Sequence, residues 1–164
     1  MYILNVDRVV IKRASSNLEL DELLSRIRNL SKGRNAVQVF DPDAVINTIH
    51  IKGAYINAAV SFQWHTNKAR NIAVEMLLFM AMTDQVDMAI KVAGAKSNTD
   101  FIVFSNSIVL YKKIKPLLKH VHGFKPDSSH VKASLNRYNI KYAFGKELTA
   151  SILEKMAISR LDSY

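Results

Sequence analysis

The feature that most constrains the fold is a helical segment that is apolar on nearly every side. One helical face carries four apolar residues and the other faces carry three more: Ile72, Met76, Phe79 and Met80, then Val74, Leu77 and Leu78. A helix without a polar face is usually buried in a protein core. Thr66 or Asn67 is placed to cap its N-terminus. The sequence therefore predicts a buried helix that other elements must cover.

A second buried element is predicted later in the chain. Phe101–Phe104 is a continuous apolar run between polar residues, which is typical of a strand covered on both faces in the middle of a sheet. Shorter strands are predicted at Val37–Phe40 and within Tyr2–Lys12, where a phase change at Asp7-Arg8 indicates a bulge or a tight turn within a strand pair. The 164 residues fit one domain. We expect a mixed α/β domain spanning residues 1–164, with a small sheet packed against about seven helices.

Helix boundaries follow from capping residues. Ser16 and Glu19 match a capping box for a helix that ends at Gly33. Asp41-Pro42-Asp43 predicts the start of another helix, with a break near Lys52-Gly53 before the next one.

The second half of the chain adds further helices. One of them carries an inward apolar stripe formed by Val86, Ala89, Ile90 and Ala93. The segment from Ile108 to Val121 predicts either a helix kinked at Pro116 or a strand followed by a short helix. Two more helices are predicted at Ser128–Tyr138 and Glu147–Leu161.

Several classes of protein are excluded or disfavoured. The chain has no cysteine, which excludes disulfides, thiol catalysis and cysteine-based metal sites. Its longest apolar run, Met76–Met82, is far shorter than the roughly 20 residues of a membrane span, and Asp7 and Arg8 interrupt any signal-peptide pattern. Gly145-Lys146 lacks the earlier glycine of a phosphate-binding loop, since Ile140 stands there. We expect a soluble, intracellular protein with no cofactor and no membrane partner.

Two sets of titratable residues could carry chemistry. His120, His122 and His130 could bind a metal ion, because neutral imidazoles are zinc ligands, but no further residue completes a tetrahedral set. A basic exposed loop is the favoured interpretation of these histidines. Asp41 and Asp43 could form an acid–base pair, but the proline between them favours helix capping.

The formal net charge of +9 favours a polyanionic partner. The segment Lys112–Lys141 contains eight Lys or Arg and one acid, an excess of seven, which is either a solvated face or a binding surface. A smaller group combines four cations with an indole and an imidazole: Lys68, Arg70, Lys91, Lys96, Trp64 and His65. Cations neutralise phosphates and an aromatic face can stack an unpaired base, so this group predicts RNA binding. For Trp64 alone, core packing is the favoured role.

A set of short segments occurs in a characteristic order: Val39–Pro42, Ala54, Lys68–Arg70, Val74–Phe79, Gln85–Ala89, Gly94, Phe101–Phe104, Glu147-Leu148, Ile152-Leu153 and Arg160-Leu161. In this order and spacing the chain resembles the PRPK-binding protein family, the small kinase-associated subunits of the KEOPS complex of archaea and eukaryotes. The basic, cysteine-free composition resembles the archaeal type.

The resemblance implies a non-catalytic subunit that binds the atypical small kinase of the complex and supports its ATPase activity. It also implies recruitment of tRNA through the single-stranded 3′ CCA end. The complex as a whole installs threonylcarbamoyladenosine next to the anticodon. The resemblance further implies that this subunit meets the threonylcarbamoyl-transferase subunit only indirectly. The family's Arg and Glu of the central helix correspond to Arg70 and Glu75. We interpret Glu75 as a structural carboxylate.

The last helix has two interpretations. Leu148, Ile152 and Met156 line one face, which either completes the core or binds the kinase, and the core role is favoured. The alternative function is a stand-alone basic RNA-binding or metal-binding domain.

Overall fold

The computed structural model describes residues 8–141 and 146–161. Over these residues it contains four strands and seven α-helices: β1 (Val10–Ser15), α1 (Leu20–Leu30), β2 (Val37–Phe40), α2 (Thr48–Gln63), α3 (Ile72–Ala81), α4 (Val86–Ala93), β3 (Phe101–Ser105), α5 (Ile108–Ile114), β4 (Lys119–Gly123), α6 (Ser128–Arg137) and α7 (Lys146–Leu161). The predicted mixed α/β fold is confirmed. The bulge or tight turn predicted at Asp7-Arg8 involves Asp7, which lies outside the described residues.

The sheet is antiparallel with strand order β2-β3-β1-β4 and lies between two helical layers. Phe101 and Val103 pack with α1 and α5 on one face. Ile102 and Phe104 pack on the other face with a cluster that includes α2, α3 and α7. All five residues of β3 are buried, so the prediction of a central strand covered on both faces is confirmed.

Helix α3 is the buried helix that its composition predicts. Every residue of it except Val74 is buried. The predicted caps Thr66 and Asn67 are wrong, because the helix begins at Ile72 and the Asn71 side chain accepts a hydrogen bond from the Val74 N–H.

The capping box predicted at Ser16 is wrong. The Ser16 hydroxyl donates to the carbonyl of Leu117 at 2.7 Å and accepts from the N–H of Leu18 at 3.1 Å. Helix α1 begins at Leu20 without a side-chain cap. Ser16 therefore joins two distant segments of the chain instead of ending a helix.

The helix predicted to start at Asp41 is also wrong in extent. The Asp41 carboxylate accepts from the N–H of Asp43, but it caps only a single 3-10 turn, Pro42–Ala44. Helix α2 begins at Thr48, where the side chain of Asn47 accepts from the His50 N–H.

Helix α2 is continuous through Lys52-Gly53, so the break predicted there is wrong. At Gly53 the side chains of α7 lie close to the backbone of α2. A Cβ atom at this position would lie 2.8 Å from Leu153 Cδ2 and 3.5 Å from Met156 Sδ. The glycine therefore permits helix packing and does not end the helix.

Between α5 and β4 the chain forms a 3-10 turn, Lys115–Leu117, that contains Pro116. Both predicted arrangements of this segment are wrong, because a short helix precedes a strand. Proline ends α5 since it cannot continue the helical hydrogen-bond pattern.

Candidate nucleic-acid interface

The loop between α2 and α3 presents an exposed aromatic side chain. Trp64 directly follows α2, and its backbone N–H donates to the carbonyl of Val60 at 3.0 Å. His65 follows with a positive φ of 56°, which turns the chain sharply. The Trp64 side chain is left 70% exposed, so the prediction that it packs in the core is wrong. An indole this exposed has a face available for stacking.

A buried carboxylate holds this loop in place. Glu75 on α3 is fully buried, and its Oε2 accepts from the backbone N–H groups of Lys68 at 3.0 Å and Ala69 at 2.7 Å. The Ser61 hydroxyl lies 3.4 Å from Oε1. The interpretation of Glu75 as a structural carboxylate is confirmed. Its bonds fix the backbone of the segment that carries the loop cations.

Two of the predicted cations lie on this loop. Lys68 Nζ forms an ion pair with Asp84 at 3.0 Å, which ties the loop to the connection between α3 and α4. Arg70 is exposed and precedes the Asn71 cap, so its predicted place on the central helix is wrong. Arg70 and Glu75 therefore lie on different elements.

The other two predicted cations lie at the end of α4. Lys91 is exposed on the helix, and Lys96 follows it in the connection to β3. Lys96 Nζ donates to the carbonyls of Ile90 at 2.9 Å and Lys91 at 2.6 Å. A cation at this position interacts favourably with the negative end of the helix dipole. The six predicted residues thus form two groups, one on the loop and one at the end of α4.

A cleft with both polar and apolar walls adjoins the loop. It has a volume of about 220 Å³, and its lining includes Ser61, Thr66, Lys68 and Glu75. The Glu75 carboxylate forms part of the cleft wall while it accepts the two backbone N–H groups.

A larger, mainly apolar groove runs along the outer edge of β2, and we call it the edge groove. Its volume is about 360 Å³. Its walls come from α1, β2, α3 and α4 and include Leu24, Arg28, Val74, Val86 and Ile90. The sequence pattern does not predict it, because residues far apart in the chain form its walls. The available signal was the apolar i, i+4 pair Val86 and Ile90.

The metal-site alternative is wrong for the three histidines. His120 and His122 are exposed on β4, whereas His130 lies on α6 with its Nε2 2.7 Å from the carbonyl oxygen of Val45. Within residues 8–141 and 146–161, no group of three or more His, Cys, Asp or Glu side chains is arranged to hold a metal ion. The Asp41 carboxylate caps the 3-10 turn through the Asp43 N–H and forms an ion pair with Arg137 at 3.2 Å. It therefore does not form an acid–base pair with the Asp43 side chain.

Residues 15–161 match the model of a family described as kinase binding protein CGI-121. The chain belongs to the CGI-121 family. No curated protein matches the sequence. None of the helices in the described part of the chain is both long and apolar enough to cross a membrane.

In this CGI-121 protein, the last helix contributes to the core. Ile152 and Met156 are fully buried and Leu148 packs against the same cluster while partly exposed. The side chains predicted to bind the kinase are therefore largely covered by the core of the protein itself. The adjacent Leu153 is 39% exposed and Ile158 is 41% exposed, so the outer side of α7 keeps apolar surface.

Proposed function

We propose that this CGI-121 protein is a cytoplasmic, non-catalytic subunit of the KEOPS complex. It binds the atypical kinase of the complex and recruits tRNA by the 3′ CCA end for threonylcarbamoyladenosine synthesis, and it meets the threonylcarbamoyl-transferase subunit only indirectly. The match to a kinase-binding family over residues 15–161 carries this proposal. The role requires no cofactor, since the protein acts by binding.

The tRNA part of the proposal rests on charge and exposure. Trp64 is exposed next to a loop that carries Lys68 and Arg70, and Lys91 and Lys96 add two cations at the end of α4. An exposed aromatic ring beside cations suits an unpaired strand, because the ring stacks on bases and the cations bind phosphates. The excess of positive charge in Lys112–Lys141 adds a field that attracts tRNA from a distance.

Charge reversal tests the local contacts. Arg70→Glu and Lys91→Glu are expected to weaken tRNA binding and to lower the slope of log affinity against log salt by about one each, since each removes a phosphate contact. Lys155→Glu is the matched control, because this exposed lysine on α7 undergoes the same change of charge outside both groups. Filter binding over a salt series measures the effect. Equal affinities for Arg70→Glu, Lys91→Glu and Lys155→Glu would contradict the assignment.

The kinase part of the proposal concerns the exposed seam of α2 and α7. The two helices meet at Gly53, which α7 contacts through Leu153 and Met156. Beside this contact Ile56 is 37% exposed and Val60 is 38% exposed on α2. Apolar side chains left exposed together on two packed helices suit a protein partner.

Neighbouring residues on α7 give a matched test. Leu153→Glu is expected to leave the far-UV circular dichroism spectrum unchanged and to abolish co-purification with the kinase, because Leu153 is partly exposed. Ile152→Glu places a charge in the core and is expected to unfold the protein. If the folded Leu153→Glu variant still co-purifies with the kinase, the exposed seam of α2 and α7 is not part of the kinase interface. A protein that binds tRNA but retains no kinase would instead be a stand-alone RNA-binding domain.

A further inference from the structure

The second half of the chain carries a cationic surface at one edge of the sheet. From Phe101 to Pro126 the sequence contains no Asp or Glu. Strand β4 lies at an edge of the sheet that the structure describes, and all five of its residues are exposed. Helix α5 and the 3-10 turn lead into this strand and expose further lysines. We call the exposed cations and histidines of these three elements the β4 surface: Lys112, Lys113, Lys115, Lys119, His120 and His122.

The lysines of the β4 surface are not neutralised by acids. None of the four forms an ion pair among residues 8–141 and 146–161. The two acids that flank the segment in the chain are engaged with other groups. Asp100 pairs with Arg13 at 2.6 Å, and Asp127 accepts from the His130 N–H at 2.8 Å. The lysines therefore remain available to an anionic partner.

The backbone beneath these cations is held in place. Ile114 and Leu118 are buried between exposed lysines, so the core anchors the connection from α5 to β4. Within that connection the carbonyl of Leu117 accepts from the Ser16 hydroxyl at 2.7 Å, which ties it to the end of β1. Side chains on a backbone that is already fixed lose less freedom when they bind a partner.

Gly123 leaves open space on the β4 surface beside its strand partner Lys12. The backbone does not require glycine there, since Gly33 is the one described glycine with a positive φ. Packing does not require it either, because a Cβ atom at Gly123 would meet no atom within 4 Å. One use of such a glycine in a strand is the close approach of a ligand or of another backbone.

We propose that the β4 surface binds the phosphate backbone of double-stranded RNA. Within α5, the 3-10 turn and β4, the one aromatic ring outside the histidines is that of Tyr111, which is buried. The surface thus lacks the exposed Trp, Tyr or Phe on which unpaired bases stack, whereas an RNA duplex is recognised largely through its phosphates and shape. Trp64 provides such a ring on the loop between α2 and α3, so the two surfaces suit different parts of an RNA.

The inference rests on the proposed function, because a tRNA presents a paired stem directly next to its unpaired 3′ end. The two surfaces lie toward opposite edges of the sheet. The Asp41 N–H donates to the Ala93 carbonyl at 3.0 Å, which places the end of α4 beside β2. Strand β4 is three strand spacings from β2, about 14 Å. A paired stem joined to an unpaired end can contact both surfaces at once.

An acidic helix of a partner protein is the competing occupant. Ile108 is 50% exposed and Val109 is 62% exposed, one turn before the two lysines of α5. Such a pair suits an apolar contact with a protein. The cations continue onto β4, however, where Val121 is the one large apolar side chain that is exposed. This extension of charge without apolar surface favours RNA.

The test measures the fluorescence anisotropy of a 5′-fluorescein-labelled, blunt-ended RNA duplex of about 16 base pairs, the length that a double-stranded RNA-binding domain covers. Wild-type protein is expected to bind it. Lys113→Gln and Lys119→Gln are each expected to weaken binding about three- to tenfold and to lower the slope of log affinity against log salt by about one. Lys155→Gln makes the same change at an exposed lysine of α7 and is expected to alter affinity less than about twofold.

Two further variants distinguish direct contact from attraction at a distance. Gly123→Val keeps the charge and fills the open space on β4, so it is expected to weaken duplex binding to a similar extent without changing the salt slope. Arg70→Gln, on the loop, is expected to weaken binding of a single-stranded RNA hexamer ending in CCA and to leave duplex binding unchanged. Lys119→Gln is expected to do the reverse. Thermal unfolding checks that every variant is folded.

The outcomes separate this inference from the proposed function. If the lysine variants bind the duplex as Lys155→Gln does, or if Gly123→Val binds it as wild type does, the contact is overturned. If wild-type protein binds tRNA and the hexamer but not the duplex, the inference is overturned and the proposed function stands. If it binds the duplex through the β4 surface but not the hexamer, the inference stands and recruitment by the 3′ end fails. Lysine variants that bind the duplex normally but lose the kinase would identify the occupant as a protein and overturn the inference.

Discussion

Acidification is expected to destabilise this protein through one buried histidine. His50 is fully buried, and burial lowers its pKa from 6.5 to about 3. Its Nδ1 accepts from the Ile46 N–H at 3.3 Å, so Nε2 carries the proton of the neutral ring. Among the described residues Nε2 has no hydrogen-bond partner, and the nearby Met80 carbonyl only partly offsets the cost of burying a charge. The folded protein therefore keeps this ring neutral.

The magnitude follows from linkage between protonation and folding. The unfolded imidazole takes up a proton below pH 6.5, whereas the folded one does so only near pH 3. The stabilising effect of the neutral ring is thus complete above pH 6.5 and is lost as the pH falls toward 3. Each pH unit inside this window costs about 1.4 kcal/mol, so the free energy of unfolding is expected to fall by about 2 kcal/mol between pH 7.5 and 5 from His50 alone.

Urea unfolding followed by far-UV circular dichroism tests this prediction, because the single tryptophan is exposed and reports the core poorly. His50→Asn removes the titration while keeping an oxygen that can accept from Ile46. The stability advantage of wild type over His50→Asn is expected to shrink by about 2 kcal/mol from pH 7.5 to 5. The exposed His122→Asn is the control. An advantage that stays constant with pH, or a His50 resonance that titrates near pH 6.5, would refute the reasoning.

Two further substitutions test contacts that stabilise the packing of α2 on α7 and the loop between α2 and α3. Gly53→Ala is expected to be nearly neutral, because the gain in helix propensity is offset by contact with Leu153, and to stabilise by about 1 kcal/mol in a Leu153→Ala background. Equal effects in both backgrounds, measured by urea unfolding, would contradict the close helix contact. Glu75→Gln is expected to cost about 2 kcal/mol by weakening the bonds to the Lys68 and Ala69 N–H groups, and to shift Trp64 fluorescence. Glu154→Gln, on the exposed side of α7, is its control. Identical unfolding curves for Glu75→Gln and Glu154→Gln would show that Glu75 does not stabilise the loop.

Elements with a uniform apolar pattern could be predicted from the sequence, and so could the starts of α6 and α7, whereas the capping residues of α1 and α3 could not. Helix α3 and strand β3 are buried on both sides, so every local residue indicates the same environment. Ser16 shows why the caps failed. A serine near a helix start is favoured as a cap, but its hydroxyl here bonds Leu117, a partner 101 residues away that no local pattern indicates.

Candidate site residues were predictable by type more than by position. The exposure of Arg70 and Lys91 could be predicted from residue type, because Lys and Arg side chains are rarely buried. Trp64 did not follow, since its exposure depends on the end of α2 and on the turn at His65, which Glu75 stabilises from the next helix through the loop backbone. Those three contributions come together only in the folded chain.

Helix α4 shows how an apparent core pattern can leave large apolar side chains exposed. Its stripe of four apolar residues predicts one buried face, yet only the alanines Ala89 and Ala93 are buried. The larger Val86 and Ile90 remain exposed along the edge groove, where no described element covers them. Small residues let α4 pack closely on its neighbours, so the bulkier pair is not needed to fill the core. Two large aliphatic side chains left in water contribute little burial free energy to folding, and that free energy remains available to any group that covers them.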